Sequence, residues 1–597
     1  MRKLAAFRGR EPHLDDKASK FEIVRPSALQ TSAAAPASAS EVAFPAGGAV
    51  IAEMMQDAAR IGAAIATRPW SFIQMQVDAW TDQLDLLEYV LRRASGQPAE
   101  PIAKPAHDDR RFKDVEWSKA PLYDAIKQNY LLAVSRANRA LEGVHGLDDE
   151  LRQRADFYLR QICDALAPTN FAITNPEVMR ATLSGGGANL FRGAQRLADD
   201  IVRGGGRLNP ELSDRSAFDV GRNLATTPGK VIYENDLMQL IQYDAATEQV
   251  RRVPVLIVPS WINKFYVLDL SERNSFVRWL VGEGHTVFII SWINPDSRHA
   301  DKTFGDYMAL GPLAALEEIT RVTGEPSVNA VGYCIGGTLL ATTLVVMASR
   351  GDKRIASATY FATLVDFTDP GDMAVFTSEA HLATLAKEMA ANGYLDARVM
   401  ADTFNLLKAN DLIWSTTIKS YLLGKDPVPF DLLFWNSDAT RMPGGVHTFF
   451  LRNMYRDNRL VVAGGIAVNG APVDMRKVDT PCFILSTRED HIAPWRSTYA
   501  ATRLFRGDTT FVLAGSGHVA GVINPPVSNK YSYWTNDALP EDAEEWLAGA
   551  TENVGSWWSH WQEWLARHSG DRMPARRTAG QTPTRIEDAP GRYVKVT

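Results

Sequence analysis

Hydrophobic and polar positions along this chain change rhythm partway through. Early on, Ile51, Met54, Met55 and Ala58 recur at helical spacing, and so do Leu151, Ala155, Tyr158, Leu159 and Ile162. Between them Ala94 to His107 holds three prolines and reads as a linker. From about residue 228 the texture alters. Short β-rich runs follow one another at Leu237–Tyr243, Val255–Val258, Thr286–Ile290, Ser327–Tyr333, Ser357–Leu364, Cys482–Thr487 and Thr510–Ala514. Helical stretches separate them, one with Phe276, Val277 and Leu280 on one face and one running apolar from Cys334 through Met347. Strands alternating with helices predict a mostly parallel sheet covered on both faces. The long interval between Leu364 and Cys482 has helical stretches but no pair of core strands, which predicts a cap or lid inserted over the sheet.

These textures divide the chain. Residues 1–49, rich in Ala, Pro and Ser, read as a disordered leader; 50–215 as a helical N-terminal domain; 216–570 as an α/β domain with a cap at about 366–480; and 571–597 as a flexible tail. A length of 597 residues is too great for one core and agrees with several domains. The glycine runs Gly185–Gly187 and Gly204–Gly206 lack the Gly-Lys-Ser/Thr of a phosphate loop and read as turns.

Composition narrows the function classes. A net charge of −6 gives no electrostatic reason to expect nucleic acid. There is no apolar run of membrane-spanning length and no signal-peptide pattern. Three cysteines, Cys163, Cys334 and Cys482, make a poor disulfide framework and fit a reducing cytoplasm, with Cys163 and Cys482 read as core residues. No metal motif is present. Trp557, Trp558, Trp561 and Trp564 cluster late in the chain; they are either packed in a core or an amphipathic surface for a partner or an apolar phase.

The chemistry concentrates at Gly332-Tyr333-Cys334-Ile335-Gly336-Gly337. A β-rich run ends at Tyr333 and a helix starts after Cys334, the layout of a G-x-S-x-G nucleophile elbow with Cys in place of Ser. Small residues are needed two before and two after the nucleophile, because the turn brings them together. The helix N-terminus favours negative charge on the sulfur, and the Ile335 N–H faces a developing oxyanion. A thiol nucleophile needs a base and an orienting acid, which follow in the chain order of the α/β-hydrolase fold. Asp490 follows the strand Cys482–Thr487, and His518 follows Thr510–Ala514. His491 is a rival base and Asp366 a rival acid. A second oxyanion donor is expected from Pro259–Asn263, with the Trp261 N–H as candidate.

At these residues the chain resembles the class I polyhydroxyalkanoate synthases. The blocks that carry the resemblance are PSWINKFYVLDL (259–270), HTVFIISWINPD (285–296), GYCIGG (332–337), TREDHIAPW (487–495), GSGHVAGVINPP (515–526), YWTNDALP (533–540) and EEWLAGATENVGSWW (544–558). ALAPTNF (165–171) and NPEVMRATLSGGGANLF (175–191) extend it into the helical domain. One departure is Trp261, where some members carry a smaller residue. The resemblance implies an α/β-hydrolase fold and an acyltransferase that adds (R)-3-hydroxyacyl-CoA, with short acyl chains, to a growing polyester and releases CoA. It implies Cys334 as nucleophile, Asp490 as acid and His518 as base, and no cofactor, since coenzyme A belongs to the substrate. It further implies a cytoplasmic homodimer at the polymer granule surface. The alternative reading is a Cys–His–Asp thioesterase or esterase.

Overall fold

A computed structural model describes residues 47–66, 69–106, 109–576 and 586–597. The leader expected over 1–49 lies outside these residues up to position 46, and the described chain opens directly in a helix.

The N-terminal domain is built of α1 (Gly47–Ala66), α2 (Pro69–Ala94), α3 (Pro121–Glu142), α4 (Asp149–Ala165), α5 (Pro176–Ser184) and α6 (Ala188–Arg203). Local chemistry sets their starts. The Asp148 carboxylate accepts from the Leu151 N–H before α4, and the Asn175 side chain accepts from Glu177 and Val178 before α5. Proline fills the first position of α3 and α5, where no N–H is needed. The helices α2 and α3 share a buried polar knot: Tyr89 donates to Asp124 at 2.6 Å, and Arg93 Nε lies 3.1 Å from the same carboxylate.

The catalytic-type domain centres on an eleven-stranded sheet. Its strands are β1 (Gly229–Glu234), β2 (Met238–Tyr243), β3 (Val255–Val258), β4 (Val287–Trp292), β5 (Val328–Tyr333), β6 (Ile355–Phe361), β7 (Cys482–Thr487), β8 (Thr509–Ala514), β9 (Ser532–Thr535), β10 (Thr551–Val554) and β11 (Glu587–Asp588). Their spatial order is β10-β9-β8-β7-β6-β5-β3-β4-β2-β1-β11. From β8 through β4 every pairing is parallel, and the outer pairings are antiparallel. The central strands are buried at every position, which is why they read as unbroken apolar runs in the sequence. The first and last three strands escape the sequence pattern because they are short or partly exposed.

Helix α7 (Ile335–Ser349) follows β5 and is buried almost throughout. Between β6 and β7 the chain leaves the sheet and forms α8 (Glu379–Asn392), α9 (Ala397–Leu407), α10 (Asp431–Ser437) and α11 (Gly444–Phe450), joined by irregular turns. The N-terminal domain rests on this cap. Gln161 donates to the Leu406 carbonyl, Asn189 to that of Leu422, and Tyr421 to Asp200 at 2.6 Å. Helix α6 comes so close that a Cβ on Gly193 would sit 1.7 Å from the Tyr421 carbonyl oxygen.

One open alternative closes here and one expectation fails. The late tryptophans do not form an outer surface: on and beside α12 (Trp558–Arg567), Trp557, Trp558 and Trp561 are fully buried and Trp564 nearly so, packed on Phe276, Phe361 and Phe483. An amphipathic stripe has the same spacing whether it faces a sheet or the outside, so the pattern alone does not choose. Nor is 571–597 a loose tail where it is described. Arg572–Pro574 pairs with Gln249–Arg251, and β11 pairs with β1 through Lys230 and Val231. Val594 is buried and the Tyr593 hydroxyl donates to the Asn235 carbonyl at 2.8 Å. The unpaired edge of β1 supplies the partner, and a two-residue strand leaves no periodicity to detect.

Among the described residues, no helix is long and apolar enough to cross a membrane.

Candidate active site

Cys334 occupies the turn between β5 and α7 with φ 53° and ψ −127°, a conformation that side-chain-bearing residues rarely adopt. The turn holds because its neighbours have no side chains to obstruct it. A Cβ on Gly332 would lie 2.4 Å from the Gly337 Cα, and one on Gly336 would lie 2.4 Å from the Val258 carbonyl oxygen and 2.5 Å from that of Pro259. The Cys334 N–H donates to the Phe361 carbonyl at 2.9 Å, and its own carbonyl accepts from the Thr363 hydroxyl at 3.2 Å. The Cys334 backbone is therefore held on both sides by the end of β6 and the residues that follow it.

Asp490 and His518 leave the same edge of the sheet, after β7 and β8. The two meet: His518 Nδ1 lies 2.7 Å from Asp490 Oδ2. The other carboxylate oxygen accepts from the N–H groups of Ile492 and Ala493, both at 2.9 Å, and the Thr487 hydroxyl adds a bond to Oδ2 at 3.1 Å. Burial works to raise the Asp490 carboxyl, but His518 and these donors outweigh it and hold it below the ordinary range. Burial likewise works to lower the His518 imidazole. The Asp490 carboxylate and then Cys334 outweigh it and raise His518 well above its ordinary value. With Nδ1 committed to Asp490, Nε2 is the nitrogen left for the sulfur. The rings of Tyr333 and His518 stack at 5.6 Å, and the Tyr333 hydroxyl donates to the His518 carbonyl.

The rivals are placed elsewhere. Asp366 is occupied by Thr368 and Asn458. His491 is pushed down to about 3, chiefly by burial and then by Lys408, and its Nδ1 has no hydrogen-bond partner among the described residues. Cys482 is buried, as its strand position implies, while Cys163, read as a core residue, is only partly buried. No group of three or more His, Cys, Asp or Glu among the described residues is arranged to hold a metal ion.

Ile335 opens α7, where an N–H has no acceptor within the helix. Trp261 lies in the loop after β3 that the helix start abuts, and both residues line a cavity with Cys334. The Trp261 indole is buried among Trp292, Phe304, Tyr307 and Phe450, and its N–H has no partner among the described residues.

Two cavities meet at Cys334. One, about 30 Å³, lies under the cap and is almost wholly apolar, lined by Met373, Met400, Phe404, Met442 and Phe450. His447, also on its wall, is pushed down to about 4 by burial and by His381. The other, about 20 Å³, is lined by Ser260, Asn263, Lys264, Tyr333 and His518. Sequence reasoning missed Lys264, and nothing in its local spacing marks it. It also missed a role for the late tryptophans: the indoles of Trp557 and Trp558 donate at 2.9 Å to the carbonyls of Gly521 and Val522, in the loop that carries His518.

Comparison with known proteins bears on the same regions. The family model described as "Poly-beta-hydroxybutyrate polymerase (PhaC) N-terminus" matches residues 108–280, and that for the alpha/beta hydrolase fold matches 253–525. The chain is 46 % identical over 546 residues to a protein of Rhizobium meliloti named poly(3-hydroxyalkanoate) polymerase subunit PhaC, covering 92 % of this chain and 89 % of that one. A poly(3-hydroxyalkanoate) polymerase of Methylorubrum extorquens is 45 % identical, covering 92 % and 91 %. The PhaC subunit of Cupriavidus necator is 44 % identical, covering 82 % and 83 %. With an α/β-hydrolase sheet carrying an elbow cysteine, and relatives this similar along most of its length, the chain belongs to the poly(3-hydroxyalkanoate) polymerases, a family of acyltransferases.

Proposed function

We propose that this protein polymerises (R)-3-hydroxyacyl groups, delivered as short-chain CoA thioesters such as 3-hydroxybutyryl-CoA, into polyester through an acyl group held on Cys334. The observation that carries the reading is the Cys334–His518–Asp490 arrangement at a strained elbow beneath an apolar cap. His518 takes the thiol proton, the sulfur attacks the CoA thioester, and CoA leaves with a proton returned by the imidazolium. Thioester-to-thioester exchange is nearly isoenergetic, so the acyl link stays reactive, and transfer to a hydroxyl makes a more stable ester. The Ile335 and Trp261 N–H groups are the proposed oxyanion donors, worth about 3 kcal/mol each if they match hydrolase examples. Asp490 orients the base. Water is the rival acceptor at each cycle, and the apolar cap cavity supports its exclusion. The same reading places a homodimer at the surface of its own insoluble product.

The test is incubation with 3-hydroxybutyryl-CoA while free CoA and insoluble polyester are measured together. The wild type releases CoA and forms polymer; Cys334→Ala loses CoA release by about a thousandfold or more while keeping its melting temperature. Stoichiometric free hydroxy acid without polymer would establish the thioesterase reading instead.

A further inference from the structure

The two cavities at Cys334 differ in a way that assigns them to different partners in acyl transfer. The apolar one suits an acyl chain. The other, its wall mostly apolar with Val267 and Trp435, is the one that His518, Ser260, Asn263 and Lys264 line, and at about 20 Å³ it has room for one hydroxyl-sized group. The acceptor hydroxyl has to reach His518 to lose its proton, so this is where it sits.

Lys264 lines that cavity with only 6 % of its surface exposed. Its Nζ lies 2.7 Å from Asp438 Oδ1, and Asp438 Oδ2 accepts from the Tyr266 hydroxyl at 2.8 Å. The neighbouring contacts fix the lysine backbone to the cap: the Trp435 indole donates to the Lys264 carbonyl at 2.8 Å, and Asn263 forms an antiparallel bridge with Ala439. A buried ion pair is a poor stabilising device, because desolvation consumes most of its attraction. An ammonium has three donors, and Asp438 takes one.

We infer that Lys264 is a substrate-positioning residue for the second half of the reaction, its ammonium donating to the acceptor's 3-hydroxyl oxygen in the cavity it shares with Cys334 and His518 while Asp438 on the cap holds it there. This rests on the proposed acyl-Cys334 chemistry. In the step, the hydroxyl proton passes to His518 Nε2, the hydroxyl oxygen bonds to the acyl carbon, the carbon–sulfur bond to Cys334 breaks, and the imidazolium returns the proton to sulfur. Lys264 transfers no proton. It favours the developing alkoxide and selects a tethered hydroxyl over water, and its anchor on Asp438 makes transfer dependent on the cap.

Rapid-mixing kinetics with 3-hydroxybutyryl-CoA separate the first release of CoA, which reports acylation of Cys334, from steady-state release, which needs transfer to a hydroxyl. For Lys264→Met the inference expects steady-state release to fall about tenfold or more, the initial burst to fall far less, and free hydroxy acid to rise relative to polymer. Lys264→Arg restores part of the steady-state rate. Equal loss in both phases, or no loss in either, overturns the inference. If Lys264→Met does not fold, Asp438→Asn is read by the same ratio, with a smaller bias against the steady state expected and no bias overturning the idea. A wild type that shows no burst and no Cys334 adduct by mass spectrometry would instead refute the acyl-enzyme reading itself.

Discussion

Beneath Cys334, strands β3, β5 and β7 are buried residue by residue, and the elbow is locked by backbone contacts that leave no room for a methyl group. Above it, the cap is a set of short helices and irregular turns, tied to the rest of the chain by separate polar links: Tyr421 to Asp200, Lys264 to Asp438, and Arg441 to the Asn294 side chain and the Thr597 carbonyl. The floor cannot yield without destroying the position of the sulfur, because close-packed interiors transmit displacement. The roof is held by these separate side-chain links and by apolar side chains, among them Leu385, Met400, Val446 and Phe450, that share the sheet's core. Backbone contacts thus set the floor and side-chain contacts the roof, and the contrast can be attacked from either side.

The largest effect is expected in the floor. Gly336→Ala drives a methyl into the carbonyl oxygens of Val258 and Pro259. It should cost about 4 kcal/mol or more of stability and abolish CoA release, read by thermal melting and the polymer assay. If the variant melts normally and works, the elbow is not the rigid point described.

Acid should separate the two regions next. His381 and His447 in the cap are each pushed down to about 4 by burial. Between about pH 6.5 and 4 the unfolded chain binds protons there that the folded cap does not, so cap stability falls as pH falls through that window. His518 has the opposite sign. Raised well above its ordinary value, it contributes stability that is full below about pH 6.5 and lost as pH rises through its folded value. Hydrogen exchange at pH 4.5 should therefore accelerate in α8 and α11 before it does in β5 and β7, and His447→Gln should reduce the difference. Equal acceleration in both regions would remove the contrast.

The smallest effect is at the roof's contact with the N-terminal domain. Tyr421→Phe removes the bond to Asp200 and should cost about 1 kcal/mol, with faster alkylation of Cys334 by iodoacetamide and unchanged melting of the sheet. Unchanged alkylation would mean that this contact does not hold the cap over the thiol.

What the sequence disclosed follows the same division. Cys334, Asp490 and His518 were legible because an elbow needs fixed residue types at fixed spacing, and the loops that carry the other two follow strands that are apolar throughout. The fold was legible for the same reason: strands buried on both faces leave continuous runs. The β1 strand and the outermost strands β9–β11 were not, being short and partly wet. Lys264 was invisible because its significance depends on Asp438, which only the folded cap brings to it. The tryptophans were ambiguous until the sheet gave their stripe something to face, whereupon Trp557 and Trp558 turned out to grip the loop of His518.

The pairing of β11 with β1 joins Asp588 to Lys230, residues made far apart in time as the ribosome moves along its message. A nascent chain can assemble every parallel strand of the sheet before residues 586–597 emerge, and during that interval β1 offers a bare hydrogen-bonding border to any other chain on the same polysome. Until residues 587 and 588 pair with it, that border is a place on the sheet where another chain could add a strand.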